Sequence, residues 1–475
     1  MSSAPPVVPP KSRARPKARR PDLDTVFTIN ADGSRNFLHP ADVHGRFQTL
    51  KSLVWAVLLL IYVGLPWLPL GGHPAVQIDL PGRSAHLFGM TFTNQDFYLV
   101  FFLVSGLGFA LFVATALWGR IWCGYACPQT VFLEGVFRRV ERWIEGPRDS
   151  RIRRNLGPLT FDKAWRKTLK QGVFLALAWL NAHAFLAYFI PAKELVHAVT
   201  GPPSAHMAAF VWGTAWTIVL WFDYAWFREQ TCLAICPYGR AQSALIDAET
   251  IVIGYDAKRG EPRSKATQEG GDCIDCFRCV AVCPTGIDIR NGLQMECIAC
   301  ANCVDACDEV MARVGRPKGL IRYDSTRGFA GERRRSLARP RVLVYAALGL
   351  LGLCVAGFVG GRREPFEVRV LRSRGLPFDI DETTIRNVFD LRVQNKSGRS
   401  AVYTLVASPG KEAPPGFEVV IAQPRLELAS LADQVTPLIV TLPRAAWSDP
   451  FPFTVVVADS ASGRSERVEL RFRGP

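Results

Sequence analysis

Residues 273–284 read CIDCFRCVAVCP and residues 297–307 read CIACANCVDAC, so one cysteine spacing occurs twice within 35 positions. The first run places Cys273, Cys276, Cys279 and Cys283 before Pro284; the second places Cys297, Cys300, Cys303 and Cys307 before Asp308. This is the C-x2-C-x2-C-x3-C-P pattern of two-cluster ferredoxins, in which three close thiolates grip one cubane and the fourth reaches its partner. On that logic Cys273, Cys276, Cys279 and Cys307 are expected to hold one [4Fe–4S] cluster. Cys297, Cys300, Cys303 and Cys283 are expected to hold the other. Zinc is the competing ligand, although its sites usually pair two separate C-x2-C knuckles. Asp308 in place of proline is expected to loosen the last turn without removing a ligand.

Working outward, two further cysteine pairs form an internal repeat: Cys123-Gly-Tyr-Ala-Cys127-Pro128 and Cys232-Leu-Ala-Ile-Cys236-Pro237. Proline suits the first position of a helix, which makes Cys127 and Cys236 expected N-caps. A helix amino terminus lowers a thiol pKa, so these are candidate thiolates. A four-cysteine metal site of Cys123, Cys127, Cys232 and Cys236 and a merely packed pair of turns both remain open. Cys354 stands alone in an apolar stretch and reads as packing.

The pairs follow long uncharged segments. Ser52–Leu70, Phe97–Gly119, Gln171–Ala192, Met207–Phe227 and Val342–Gly361 each approach the about 20 residues that cross a bilayer, giving an expectation of five transmembrane helices. The chain carries a net charge of +15, but its basic residues crowd between spans, which with the apolar stretches argues against a nucleic-acid partner. Residues 120–170 hold twelve Lys or Arg, whereas the loops 71–96 and 193–206 hold one each, Arg83 and Lys193. The amino terminus, residues 120–170 and residues 228–341 (ending in Arg333, Arg334 and Arg335) are therefore expected in the cytoplasm, with only Arg362 and Arg363 opposing. Within 120–170, Phe132, Leu133, Val136, Phe137, Val140, Trp143 and Ile144 share one helical face opposite Arg138, Arg139, Glu141 and Arg142. That face fits either the membrane interface or the protein itself. His73, His86, His197, His206, Met90 and Met207 fall in the two short loops. They are solvated residues or copper ligands by chemistry. His183 has no histidine partner in the spans with which to hold a haem.

The ends differ in kind. Residues 1–48 form a Pro- and Arg-rich tail of disordered composition, placed too far ahead of the first apolar stretch to be a signal peptide. From residue 362 the pattern turns to period two, as in Phe366, Val368, Val370 and Val468, Leu470, Phe472, with turn chemistry at Asn395-Lys396-Ser397-Gly398 and Ser462-Gly463. About seven strands so patterned suggest a C-terminal all-β immunoglobulin-like sandwich. The organisation expected is thus a multidomain membrane protein. It has the tail (1–48), a four-helix membrane domain with both C-x3-C-P repeats (49–236) and a cytoplasmic double ferredoxin domain (262–315). A fifth span (342–361) and a periplasmic sandwich (362–475) follow.

This order of parts resembles the cytochrome c oxidase accessory proteins of the FixG/CcoG type, from about residue 45 to the end. The C-x3-C-P repeats are similar to those of membrane polyferredoxins in the nitrate and nitrous-oxide reductase systems, and the C-terminal sandwich narrows the choice. The resemblance implies a bacterial inner-membrane protein with two [4Fe–4S] clusters. It also implies a role in assembling a cbb-type oxidase by reducing Cu(II), the copper substrate, to Cu(I). It maps the eight ferredoxin cysteines to cluster ligands and Cys123, Cys127, Cys232 and Cys236 to the membrane-mouth motifs. Copper carriers or oxidase assembly factors are the implied partners, with an electron donor the sequence does not name. Two other readings compete: a quinol-oxidising conduit to a periplasmic reductase, and an assembly scaffold without catalysis.

Overall fold

The computed structural model describes the chain apart from residues 1–34, 36, 71–72, 94–95, 265–269, 333–338, 362–364, 373–376, 398, 411–412 and 431. Most of the basic tail, the Arg333–Arg335 run, Arg362, Arg363 and Gly398 lie outside the described residues. The chain forms two compact units, each stitched from three stretches. Met1–Leu59, Ala110–Leu180 and Ala215–Tyr345 make the first; Leu60–Phe109, Asn181–Thr214 and Ala346–Pro475 make the second.

The principal helices are α1 (Arg46–Gly64), α2 (Phe97–Trp118), α3 (Phe161–Leu186), α4 (Met207–Phe222), α5 (Asn302–Arg313) and α6 (Pro340–Gly361). Among the described residues four segments are long and apolar enough to cross a membrane: Arg46–Trp67, Tyr98–Trp118, Pro203–Phe227 and Pro340–Gly361. The expectation of five spans is corrected to four. The stretch that fails is Gln171–Ala192. Helix α3 begins among Lys163, Arg166, Lys167 and Lys170 and ends at Leu186, so its apolar part is short for a bilayer and includes Asn181 and His183. The odd crossing count that placed residues 362–475 in the periplasm falls with it. Within the second unit Gly352 lets α6 approach α2, where a Cβ would lie 3.3 Å from the Phe102 carbonyl oxygen. Small residues at such a crossing are how apolar helices associate without a hydrophobic drive.

The amphipathic stretch after the first C-x3-C-P motif is broken into a short helix (Pro128–Phe132), a π-helical turn (Leu133–Phe137) and a helix (Arg138–Glu145). Both of its faces are partly buried in the first unit. Phe137 stacks on Tyr224 and meets Phe174 edge-on, while Arg138, Glu141 and Glu145 on the charged face are also buried. Glu141 takes Arg228 at 2.7 Å, Lys170 at 3.3 Å and Arg151 at 3.6 Å, and Glu229 takes Arg35 at 2.6 Å and Arg138 at 2.7 Å. Although burial pushes the Glu141 carboxyl up, these cations hold it well below the usual carboxylate range. Packing on the protein therefore uses both faces, with Leu133 and Phe137 in an apolar core, while Trp143 is left 80% exposed.

The ferredoxin segment is closed by an antiparallel pair, Val252–Tyr255 with Ile321–Asp324, whose strands lie before the first and after the second cysteine run. Ile253, Val304, Met311 and Leu320 form its core.

The carboxyl-terminal residues form two antiparallel sheets. One runs in the order Glu418–Ile421, Asp433–Pro443, Thr384–Asn395, Phe366–Arg372, with Asp379–Ile380 also on Thr384–Asn395. The other runs Arg425–Leu428, Ala401–Pro409, Pro452–Asp459, Ser465–Arg471. Alternation buries Ile385, Phe389, Leu391 and Val393 in a core shared with Leu405, Phe453 and Val455. Two buried amides in the first sheet are satisfied: Asn387 donates to the Arg473 carbonyl at 2.7 Å and Asn395 to that of Arg399 at 2.8 Å. The expected immunoglobulin-like sandwich is corrected here, because both sheets are open and end at free edges and are not closed into a curled sandwich. Period-two patterning dictates one buried face per strand and is silent on closure.

Candidate functional site

The two cysteine runs fold around two small cavities in the first unit. Cys273, Cys276, Cys279 and Cys307 line one, with Tyr255, Phe277, Arg290 and Met311. Cys283, Cys297, Cys300 and Cys303 line the other, with Ile253, Ile287 and Asn302; Cys279 borders both. Each run is shaped by two left-handed residues that are not glycine: Asp275 and Phe277 in the first, Ala299 and Ala301 in the second. They occupy matching positions, directly before Cys276 and Cys300 and directly after them. Each costs about 1–2 kcal/mol. Phe277 and Ala301 then pass straight into the helices Arg278–Ala281 and Asn302–Arg313. A left-handed residue beside a right-handed one is the backbone form of an anion-binding nest.

Buried cations accompany both cavities. Arg290 stands 4.1 Å over the Phe277 ring and pairs with Asp275 at 2.5 Å and Asp288 at 2.6 Å. Its charge is felt at Cys279. Lys51, on α1, is 1% exposed, donates to the Asn302 side-chain oxygen, and acts electrostatically on Cys300. Among the described residues no carboxylate pairs with Lys51, so its buried charge requires an anion from elsewhere. Burial pushes the thiols of Cys279, Cys297 and Cys307 up to about 12, and that of Cys303 well above its ordinary value. Such thiols stay neutral unless metal replaces the proton. Among the described residues no three His, Cys, Asp or Glu side chains close on a point that would hold a single metal ion. Soft thiols spread around a cavity, a strained nest and a buried cation fit an anionic polynuclear iron–sulfur group.

Asp308 does not loosen its turn. With no proline after Cys307, α5 continues to Arg313, and Asp308 accepts a hydrogen bond from the Gly319 amide at 2.8 Å.

The C-x3-C-P motifs come together beside the second cavity. Cys127 and Cys236 are the N-caps of Pro128–Phe132 and Pro237–Leu245, each with proline in the first turn. The expected thiolate at Cys127 is reversed: burial raises its pKa, and the Gln129 and Thr130 amides offset this only in part. Burial likewise pushes Cys123 up to about 11 and raises Cys232. Cys123 lies 3.6 Å from the buried Gln242 amide nitrogen, so the first motif touches the helix that follows the second. Charges at Cys123, Cys127 and Cys236 all act on Cys232. Gly124 presses this turn onto the second cysteine run, since a Cβ there would lie 2.8 Å from the Ile298 carbonyl oxygen and 2.9 Å from the Cys300 Cα.

In the second unit His73 and His86 stack with ring centroids 3.8 Å apart and planes 4° from parallel. The His86 Nδ1 meets the Thr91 hydroxyl at 3.0 Å. Cys354 is exposed on α6. Reasoning from motifs missed Lys51, Arg290, Asn302, Gly124 and Gln242. A lysine at the start of an apolar span was the one visible signal.

Three family models match in order along the chain: a 4Fe-4S binding domain over residues 99–147, a 4Fe-4S dicluster domain over 227–326, and the IG-like fold at the C-terminus of FixG over 357–475. The nitrogen fixation protein FixG of Rhizobium meliloti is 34% identical, over 98% of both chains. The chain belongs to the FixG/CcoG-type family of 4Fe–4S membrane ferredoxins. Protein RdxA of Cereibacter sphaeroides is 40% identical over 82% of this chain and 87% of its own. RdxB of the same organism is 38% identical over 80% and 83%. As a member of the FixG/CcoG-type family, the chain is a multi-pass, membrane-associated iron–sulfur electron-transfer protein.

Proposed function

We propose that this chain carries two [4Fe–4S] clusters and uses them to reduce Cu(II) to Cu(I) during assembly of a cbb-type oxidase in a bacterial inner membrane. Cys273, Cys276, Cys279 and Cys307 would hold one cluster, and Cys297, Cys300, Cys303 and Cys283 the other. The observation that carries this reading is the pair of adjacent four-cysteine cavities sharing Cys279 at their border. When bound, each cluster supplies a one-electron centre. The chain's own residues do the rest. Lys51 and Arg290 favour added negative charge, and the aliphatic lining keeps water away. The turn that carries Cys123 and Cys127 meets the second run through Gly124, and electrons would leave there. Copper delivered as Cu(I) is the form that thiolate and thioether carriers select.

The test uses anaerobic purified protein, reduced with dithionite, desalted and mixed with Cu(II) in the presence of a Cu(I)-specific chelator. The native chain should contain about eight irons and produce Cu(I). A Cys276→Ser, Cys300→Ser variant should lose that yield, and undiminished yield would overturn the assignment.

A further inference from the structure

A cavity of about 730 Å³ opens beside the second cysteine set, within the usual range for small-molecule sites. It is bounded by the Pro40–Gly45 loop, by Gln48, Ser52 and Trp55 on α1, and by Glu134, Arg139 and Trp143 across from them. Part of that wall is the π-helical turn Leu133–Phe137, a distortion common at functional sites. Trp55 is 4% exposed, packs over Gly135, and its indole N–H has no acceptor among the described residues. A buried donor left so costs about 1–3 kcal/mol unless a ligand oxygen meets it. Ser52 accepts from Arg139 at 2.7 Å, and Arg142 is already paired with Asp42 at 2.9 Å. The cavity thus offers hydrogen bonds, aromatic walls and one guanidinium, Arg139, held there by a neutral hydroxyl. From it α1 runs on through exposed Leu53 and Val57 into its apolar span. Asn302 lines both this cavity and that of Cys283, Cys297, Cys300 and Cys303, so one side chain separates them.

The geometry points to a binding site for a membrane-borne quinol, the reductant that loads the chain with electrons. The assignment rests on the electron-transfer reading proposed above. Oxidation converts two C–O–H groups to carbonyls, releases two protons to solvent at the cavity mouth, and yields two electrons. That number matches two one-electron centres and two Cu(II) ions.

The experiment takes the full-length, iron-loaded protein under anaerobic conditions. It titrates in a redox-inert, fluorescent hydroxyquinoline N-oxide as a quinol analogue, and separately follows bleaching of visible absorbance by a water-soluble menaquinol. Saturable binding is expected. Trp55→Phe, which keeps a ring and removes the N–H, should weaken it about tenfold. Ser52→Trp should fill the cavity and abolish it, with iron content and dithionite bleaching preserved in both variants. Equal affinity in native and Trp55→Phe protein would overturn the proposal. So would displacement of the analogue by anionic lipid but not by quinol, or bleaching by reduced nicotinamide or flavin but not by quinol. Protein that reduces Cu(II) after dithionite yet ignores quinol refutes this site alone. Quinol oxidation without Cu(I) formation refutes the copper reading alone.

Discussion

The Asp305 carboxylate accepts a hydrogen bond from the backbone amide of Gln48 at 2.8 Å, and a second from that of Phe47 at 3.3 Å. A residue of the second cysteine run therefore caps the first membrane helix from 257 positions away. Free amides in a first turn need such a partner, and removing one costs about 1 kcal/mol. Asp305→Ala should accordingly lower the temperature at which visible absorbance is lost on heating. An unchanged midpoint would show that the cap contributes nothing.

Lys51 is a buried cation beside Cys300. Lys51→Met should make the nearer cluster harder to reduce, by on the order of 50–100 mV at an effective dielectric of about 20. Potentiometric titration followed by electron paramagnetic resonance would separate the two centres. Lys51→Arg should restore most of the shift, and the cluster near Arg290 should not move.

Gly124 faces backbone on the second cysteine run, which cannot yield as a flexible side chain would. Gly124→Ala is expected to displace Ile298–Cys300 and to cost the protein about half of its roughly eight irons. Iron and sulfide counts on purified protein would decide, and full loading would mean that the contact is slack.

The Glu141 cluster predicts a pH dependence. A carboxyl held below its unfolded value of about 4.3 contributes stability above that pH and loses it as pH falls through the folded pKa. Glu141→Gln leaves three buried cations facing a neutral amide, at a cost of about 3–5 kcal/mol near neutrality. On account of Glu141 the native midpoint should hold steady from pH 7 to about 5 and fall once the pH drops below about 4.3, whereas the variant should start lower and lose less over that acid range.

The grouping of the cysteines around two cavities was legible because their spacing is local: eight cysteines in two like runs lie within 35 residues. Cys127 and Cys236 were legible as caps for the same reason, a proline one position on. The protonation of Cys127 was not, since burial comes from packing between distant segments. Lys51 and Asn302 meet across 251 positions, a pairing no periodicity encodes. The span at Gln171–Ala192 was misjudged because an uncharged stretch of bilayer length was taken as one helix, whereas the helix ends at Leu186. Alternation in Thr384–Asn395 gave the buried face, whereas closure of a sheet depends on edges that alternation does not describe.

The three-stretch construction of the first unit bears on biogenesis. The ribosome releases α1 to α4 well before Asn302 and Asp305 exist, so the opening turn of α1 waits with its amides uncapped and Lys51 unanswered. Only completion of the cysteine-bearing segment relieves both. Newly inserted chains should therefore remain open to membrane proteases until iron arrives, and their abundance in the cell should track iron supply.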